Sequence, residues 1–270
     1  MKINWIVLDM DGTLLNSLTE LPIRFFEVKK ELEALGIQFI LASGRQYERM
    51  RTVVSPHHDD FMYLSDNGTK VYQHNQLISS VTIDNDVSHK IIETAQKKMD
   101  VQYVVNALQG AYFLKQTDQE TQRVFDEFYE NQILVDNFDE VTDFIKISFY
   151  NASDDFSGQE ALDSFKSDVN ITHSGPTWLD VVHKDISKGV ALKMMAQNHD
   201  IDLAGVMVFG DAMNDADMLA VAGFPIIMEN GDERLKNLGY YQTKSNDEDG
   251  VMLILDQLLA HQGDASWLKN

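Results

Sequence analysis

The chain contains no cysteine, which excludes a disulfide framework, a thiol nucleophile and a cysteine-ligated metal. Basic residues are scarce: 22 Lys and Arg stand against 43 Asp and Glu, a formal net charge of −21. Nucleic acid and anionic membrane both need basic surface, so neither is expected as a partner. A small anionic ligand survives the same objection, because a bound cation and backbone N–H groups reverse the sign locally. No apolar run is long enough to span a bilayer. Met1-Lys2-Ile3-Asn4 enters a strand without the apolar region and small-residue cleavage site of a secretion signal. The expectation is a soluble, cytoplasmic protein, a monomer or weak homodimer. The P-loop and the glycine fingerprint of dinucleotide-binding folds are both absent. There are no internal repeats and no low-complexity tract.

What the chain does contain begins at Asp9-Met10-Asp11-Gly12-Thr13-Leu14. The apolar run before it, within Ile3–Asp9, reads as a buried strand that breaks into a Gly-Thr turn. Ligands of open α/β sheets sit at the carboxyl ends of such strands. Two acids delivered there are costly unless a cation meets them. Mg²⁺ suits them, since it takes oxygen ligands and commonly binds one or two carboxylates plus a substrate phosphate. An exposed Asp-Gly turn is the plainer alternative for this fragment alone.

Three further segments repeat the theme. Phe39–Ala42 ends in Ser43-Gly44-Arg45, Met207–Gly210 ends in Asp211-Ala212-Met213-Asn214-Asp215, and Ser187-Lys188-Gly189 opens a helical pattern. Residues 1–83 alternate strands (Ile3–Asp9, Ile37–Ala42, Phe61–Leu64) with helices (Pro22–Leu35, Arg45–Val54), which predicts a parallel sheet with right-handed crossovers. Residues 84–184 change texture. Helices Val87–Met99 and Gln119–Glu130 and a helical stretch near Gln159–Phe165 lie among strands Val101–Val105, Ala111–Leu114, Phe144–Tyr150, Val169–His173 and Trp178–Val182. That pattern predicts an α+β unit on an antiparallel sheet. Residues 185–270 return to βα units: helix Lys188–Asn198, strand Gly205–Gly210, helix Asn214–Ala222, strand Pro225–Met228 and helix Val251–Leu259. The tail from Gly263 is expected to fray.

In order and content, these four elements resemble the motifs of the haloacid dehalogenase-like (HAD) superfamily of phosphoryl-transfer enzymes. The long insert resembles the type IIB cap of the Cof-like sugar-phosphate phosphatases. The resemblance implies a Rossmann-like parallel-sheet core, residues 1–83 and 185–270, with an inserted α+β cap, 84–184. It implies a Mg²⁺-dependent phosphatase acting on a small phosphorylated metabolite, a sugar phosphate or phosphorylated cofactor. Asp9 would be the nucleophile, as carboxylates can form aspartyl-phosphates. Asp11 would be the general acid/base, the i, i+2 spacing placing both acids on one side of a strand.

The resemblance puts Lys188 on both nucleophile and phosphate, and Met10, Ser43, Gly44 and Asn214 on the phosphate. It puts Asp9, Asp11 (through its carbonyl), Asp211 and Asp215 on the metal, Asp215 directly or through water. Asp211 and Asp215, four apart, are expected on one helical face. Arg45 and Asn67 are candidates for substrate contact. Ser43 also reads as a helix N-cap, and Met10's side chain as core packing. The cap aromatics Tyr103, Tyr112, Phe113, Phe149 and Trp178 read as core, with one or two lining the pocket. Two alternatives stay open: a phosphotransferase or phosphomutase on the same scaffold, and a non-catalytic sensor of a phosphorylated ligand.

Overall fold

The computed structural model describes residues 1–269; Asn270 lies outside the described residues. Strands β1 (Trp5–Leu8), β2 (Gln38–Ala42), β3 (Met62–Ser65), β4 (Lys70–Gln73), β5 (Gln76–Ser80), β12 (Val206–Gly210), β13 (Phe224–Met228) and β14 (Tyr241–Thr243) build one sheet. Its order is β14-β13-β12-β1-β2-β3-β4-β5. The six strands from β14 to β3 are parallel, and β4 and β5 close the edge as an antiparallel hairpin. All four residues of β1 are buried, as a strand covered on both faces requires. The pleat divides them: Ile6 and Leu8 join Phe39, Leu41, Met207 and Phe209 on one face, where α1 (Phe25–Ala34) and α8 (Gly250–Ala260) pack. Trp5 and Val7 join Ile40, Ala42 and Val208 on the other, against α5 (Lys188–Asn198) and α6 (Ala216–Val221).

The intervening chain builds a second sheet from β6 (Gln102–Ala107), β7 (Gly110–Leu114), β8 (Gln132–Val135), β9 (Phe144–Tyr150), β10 (Val169–Gly175) and β11 (Trp178–His183), in the order β10-β11-β9-β6-β7-β8. One face packs Val105, Ile147, Phe149, Leu179 and Val181 against α3 (Asn85–Lys98) and a 3₁₀ helix at Gln159–Phe165. The other carries Val104 and Phe113, packed against α4 (Gln119–Phe128). The expected fold class is borne out: a parallel-sheet α/β core with an inserted α+β cap.

Several local expectations change. The cap sheet is not wholly antiparallel, because β7 and β8 run parallel across the α4 crossover. Strands β4, β5, β8 and β14 were not expected; β5 is mostly exposed and β14 is three residues long, so neither has an apolar signature. The described part of the tail does not fray. Ala265 is wholly buried, Trp267 and Leu268 pack on the core, and Asp264 bridges to Lys2. An apolar trio spaced within a short polar tail is too short a pattern to read.

Candidate active site

Strand β1 pairs with both β2 and β12, so the order reverses there, and the carboxyl ends of the three strands meet at the crevice where α/β sheets bind ligands. Asp9 follows β1, Ser43 follows β2 and Asp211 follows β12. Lys188, at the start of α5, is fully buried and reaches in from one face. Its Nζ donates to Asp9 Oδ1 at 2.6 Å and to Asp215 Oδ1 at 2.7 Å. Burial works against the ammonium, but Asp215 and Asp9 outweigh it and its pKa is raised.

Asp9, Asp211 and Asp215 each offer an oxygen within 4.8 Å of the others. Burial first, then Asp215, raises the Asp9 pKa well above the ordinary range, against the pull of Lys188. The Asp211 carboxyl is pushed up to about 7, again by burial and then Asp215, with Thr13 Oγ1 donating at 3.0 Å in partial relief. One lysine therefore leaves the cluster short of positive charge. Three hard oxygen donors around a charge deficit fit a divalent cation such as Mg²⁺. The backbone is shaped for the same closeness: Gly12 has φ +76°, and a Cβ there would stand 2.4 Å from Asp211 Oδ2.

Asp215 is not on a shared helical face with Asp211. It ends a 3₁₀ turn before α6 and folds back, its Oδ2 accepting the backbone N–H of Asp211 (2.9 Å) and Ala212 (3.1 Å). Both of its oxygens are committed to protein donors. Asp11 likewise stands beyond the end of β1 at Leu8, so the strand alternation does not extend to it. The turn at Gly12 brings it beside Asp9 along one cavity wall instead. There Arg45 holds its carboxylate bidentately, Nε at 2.8 Å and Nη2 at 2.6 Å.

Ser43 does not cap the following helix, α2 (Tyr47–Val53), whose cap position is Gln46. Its Oγ accepts the Arg45 N–H at 3.1 Å and tightens the turn. Met10 is fully buried in the core with its side chain in packing. Asn67 sits at φ +61° between Asn214, which donates to it at 3.0 Å, and Asp180, to which it donates at 2.6 Å.

A cavity of about 280 Å³ brings Asp9, Asp11, Ser43, Gly44, Arg45, Asp211 and Asn214 together. Lys188 and Asn67 open on an adjoining one. The cap supplies the roof, and here the structure adds residues that sequence reasoning missed: Lys146, Asp180, Phe128 and Tyr129. Lys146 Nζ donates to the Gly44 carbonyl at 2.6 Å. Gln46 donates to Asn106 at 3.2 Å, and Arg45 to the Glu127 carbonyl at 3.4 Å, so core and cap are tied at several points. A signal existed. Lys146 and Ser148 interrupt the apolar strand β9 at alternate positions, which marks a polar, ligand-facing side. Of the five cap aromatics named above, Trp178 lines this cavity.

Fold and site together are those of a hydrolase acting on phosphoric monoester bonds. The chain belongs to the haloacid dehalogenase-like hydrolases, whose family model matches residues 6–255. It is similar to the 5-amino-6-(5-phospho-D-ribitylamino)uracil phosphatase YbjI of Escherichia coli (strain K12), 29% identical over 266 residues, covering 97% of this chain and 98% of that protein. Among solved structures it resembles SMU.1108c from Streptococcus mutans UA159, with a TM-score of 0.87 at 26% identity over 96% of this chain and 99% of that one. The HAD subclass IIB sugar phosphatase BT4131 shares the fold, with a TM-score of 0.81 at 22% identity over 94% of this chain and 98% of that one. No helix among the described residues is long and apolar enough to cross a membrane.

Proposed function

We propose that the protein is a Mg²⁺-dependent phosphatase that hydrolyses a small phosphomonoester through a phosphorylated Asp9. The observation that carries this reading is the fully buried Lys188 bridging Asp9 and Asp215 at 2.6 and 2.7 Å, with Asp211 alongside. A carboxylate held at a strand end by a buried cation is set up as a nucleophile. The size of the cavity suits a metabolite, since pockets for larger drug-sized ligands begin at roughly 300 Å³. The relative YbjI is named for a ribityl-linked uracil phosphate. A sugar phosphate or phosphorylated cofactor is the substrate class we assign.

In the first step an Asp9 oxygen attacks phosphorus as the ester P–O bond breaks, and the leaving alkoxide takes a proton from Asp11, which for this step carries a proton on an oxygen released from Arg45. In the second, Asp11 takes a proton from water, the water oxygen attacks phosphorus and the bond to Asp9 breaks. Inorganic phosphate leaves, and Asp11 is again protonated for the next turnover. Lys188, the Ser43 hydroxyl, the Met10 and Gly44 N–H groups and the Asn214 amide hold the phosphoryl oxygens, as positioning dominates phosphoryl transfer. Asp9, Asp211 and the Asp11 carbonyl would hold Mg²⁺, which when bound neutralises charge on the phosphoryl group. Asp215 orients Lys188 and the Asp211 backbone. Residues 84–184 act as a cap that closes over 1–83 and 185–270 and limits water access.

Phosphate release is measured from a panel of sugar phosphates, nucleotides and phosphorylated cofactors, with Mg²⁺ and with EDTA, for wild type and Asp9→Asn. Metal-dependent release that disappears in Asp9→Asn is the expected result. Release that survives Asp9→Asn would overturn the covalent route. Transfer to an added alcohol or sugar in place of water would identify a phosphotransferase.

A further inference from the structure

The two strands beyond β12 carry none of the acids at the site, yet the loops after them reach it. β13 and β14 run parallel to β1, with β12 between β13 and β1. Their carboxyl ends therefore open on the same edge of the sheet as Asp9 and Asp211. The loop after β13, residues 229–232, arches over the end of β12, and the Asp232 N–H donates to the Asp211 carbonyl at 2.7 Å. Within that loop Asn230 reaches past β12 to the turn that follows β1. Its Nδ2 donates to the Gly12 carbonyl at 2.8 Å.

Asn230 is itself held from behind. Its Oδ1 accepts the Asn246 N–H at 3.2 Å, from the 3₁₀ turn Asn246–Glu248 that follows β14. A side-chain amide offers both a donor and an acceptor, so one residue joins the two loops. The 3₁₀ turn also grips the chain downstream of Gly12. Asn246 Nδ2 donates to the Leu15 carbonyl at 2.9 Å, and Asp247 Oδ1 accepts the Ser17 N–H at 2.7 Å.

The turn at Gly12 closes without this help. The Leu15 and Thr13 N–H groups both donate to the Met10 carbonyl, at 2.8 and 3.4 Å. Neither bond fixes the Gly12 carbonyl. Gly12 has φ +76° and no side chain, so its peptide link to Thr13 is the part of the turn freest to swing. Asp11 lies on one side of that link. On the other lies Thr13, whose Oγ1 donates to Asp211 Oδ1 at 3.0 Å. A swing there would draw Thr13 off Asp211 and shift the Asp11 carbonyl. Asn230 is exposed, and so is its bond to Gly12. An exposed hydrogen bond adds little stability, so its value lies in orientation.

We infer that Asn230, braced by Asn246, is a positioning residue: it sets the Gly12–Thr13 peptide and thereby holds Asp211 and the Asp11 carbonyl in place for Mg²⁺. This rests on the metal reading of the same site, so metal binding and turnover are measured separately. Wild type, Asn230→Ala, Asn246→Ala and the double variant are titrated calorimetrically with Mg²⁺ alone, and melted in EDTA. Loss of a group that orients metal ligands costs about 10–100-fold in affinity. Asn230→Ala should weaken Mg²⁺ binding by about tenfold. It should melt within about 4 °C of wild type in EDTA, as loss of one exposed hydrogen bond dictates. Asn246→Ala should weaken binding less, and the double variant should lose little beyond Asn230→Ala, because the two act as one unit. With any compound of the phosphate panel that is hydrolysed, Asn230→Ala should fail at limiting Mg²⁺ and largely recover at saturating Mg²⁺.

Unchanged Mg²⁺ affinity in Asn230→Ala, with wild-type hydrolysis intact, overturns the inference while the phosphatase reading stands. A large drop in melting temperature, with turnover that excess Mg²⁺ does not restore, also overturns it, since the role is then structural. Losses that multiply in the double variant overturn the brace by Asn246. Weaker Mg²⁺ binding in Asn230→Ala, with no compound of the panel hydrolysed by wild type, supports the inference and counts against the phosphatase reading. A wild type that binds no Mg²⁺ overturns both.

Discussion

Replacing Lys188 by methionine removes the only side-chain cation among the described residues that meets the Asp9 and Asp215 carboxylates. At an effective dielectric of about 20, each contact near 2.6–2.7 Å is worth roughly 6 kcal/mol of gross attraction. Much of that is offset by the cost of burying the ammonium, and the carboxylates relieve themselves in part by taking up protons. Breaking a buried pair from one side typically costs about 3–5 kcal/mol. At about 2–4 °C per kcal/mol for a protein approaching this size, Lys188→Met should melt roughly 6–20 °C lower.

The assay is thermal or urea unfolding in EDTA, so that no cation takes the lysine's place. Two signatures separate the electrostatic cause from simple misfit. The deficit should shrink as the pH falls and the carboxylates are neutralised. The double variant Lys188→Met/Asp9→Asn should recover at least half of the loss, because it removes one of the stranded charges. Turnover should drop by about 10²–10³ at least, the usual cost of one preorganised charge-stabilising group. A loss below about 1 kcal/mol, or a deficit that neither acid nor the second substitution reduces, would refute the reasoning.

Other expectations follow from the same geometry. Asp211, pushed from an ordinary 3.8 up to about 7, holds its proton more tightly folded than unfolded. Its contribution therefore favours the fold at acid pH and is lost as the pH rises from about 4 to 7. Metal binding needs the ionised form, so Mg²⁺ affinity should climb over the upper part of that window with proton release. Calorimetry in buffers of different ionisation enthalpy reads this, and pH-independent affinity between about pH 5.5 and 7.5 would contradict it. Gly12→Ala should weaken Mg²⁺ binding by about 10–100-fold, since the new Cβ falls 2.4 Å from Asp211 Oδ2 and strains a φ of +76°. Unchanged affinity in a titration would count against Asp211 as a ligand. Removal of residues 263–270 should cost about 2–4 kcal/mol, because Ala265 is fully buried and Trp267 packs on the core. Matching denaturation midpoints for the full and shortened chains would show that the tail contributes nothing.

The sequence by itself determined the central strands of the core, the helices that cover them and the chemistry-bearing strand ends, but not the edge strands β4, β5 and β14. Apolar runs such as Trp5–Leu8 and Val206–Phe209 are buried on both sides, and a parallel sheet is the arrangement that buries them. Short polar turns after such runs fall at the carboxyl edge whatever the rest of the chain does. Lys188 was legible from its motif alone, since its partners lie 179 and 27 residues away. Only the tertiary structure decided which charges touch. Asp215 turns back to hold backbone N–H groups instead of standing beside Asp211, and Arg45 takes the Asp11 carboxylate.

Tertiary structure also decided the roof. Lys146, Asp180, Phe128 and Trp178 come from three elements of the cap, and their meeting over Asp9 depends on strand register and on how the cap sits against the core. A residue's own neighbours fix whether it enters a strand or a turn, because those are local backbone choices. Which distant charge compensates a buried carboxylate is fixed by long-range packing, and no local pattern encodes that distance.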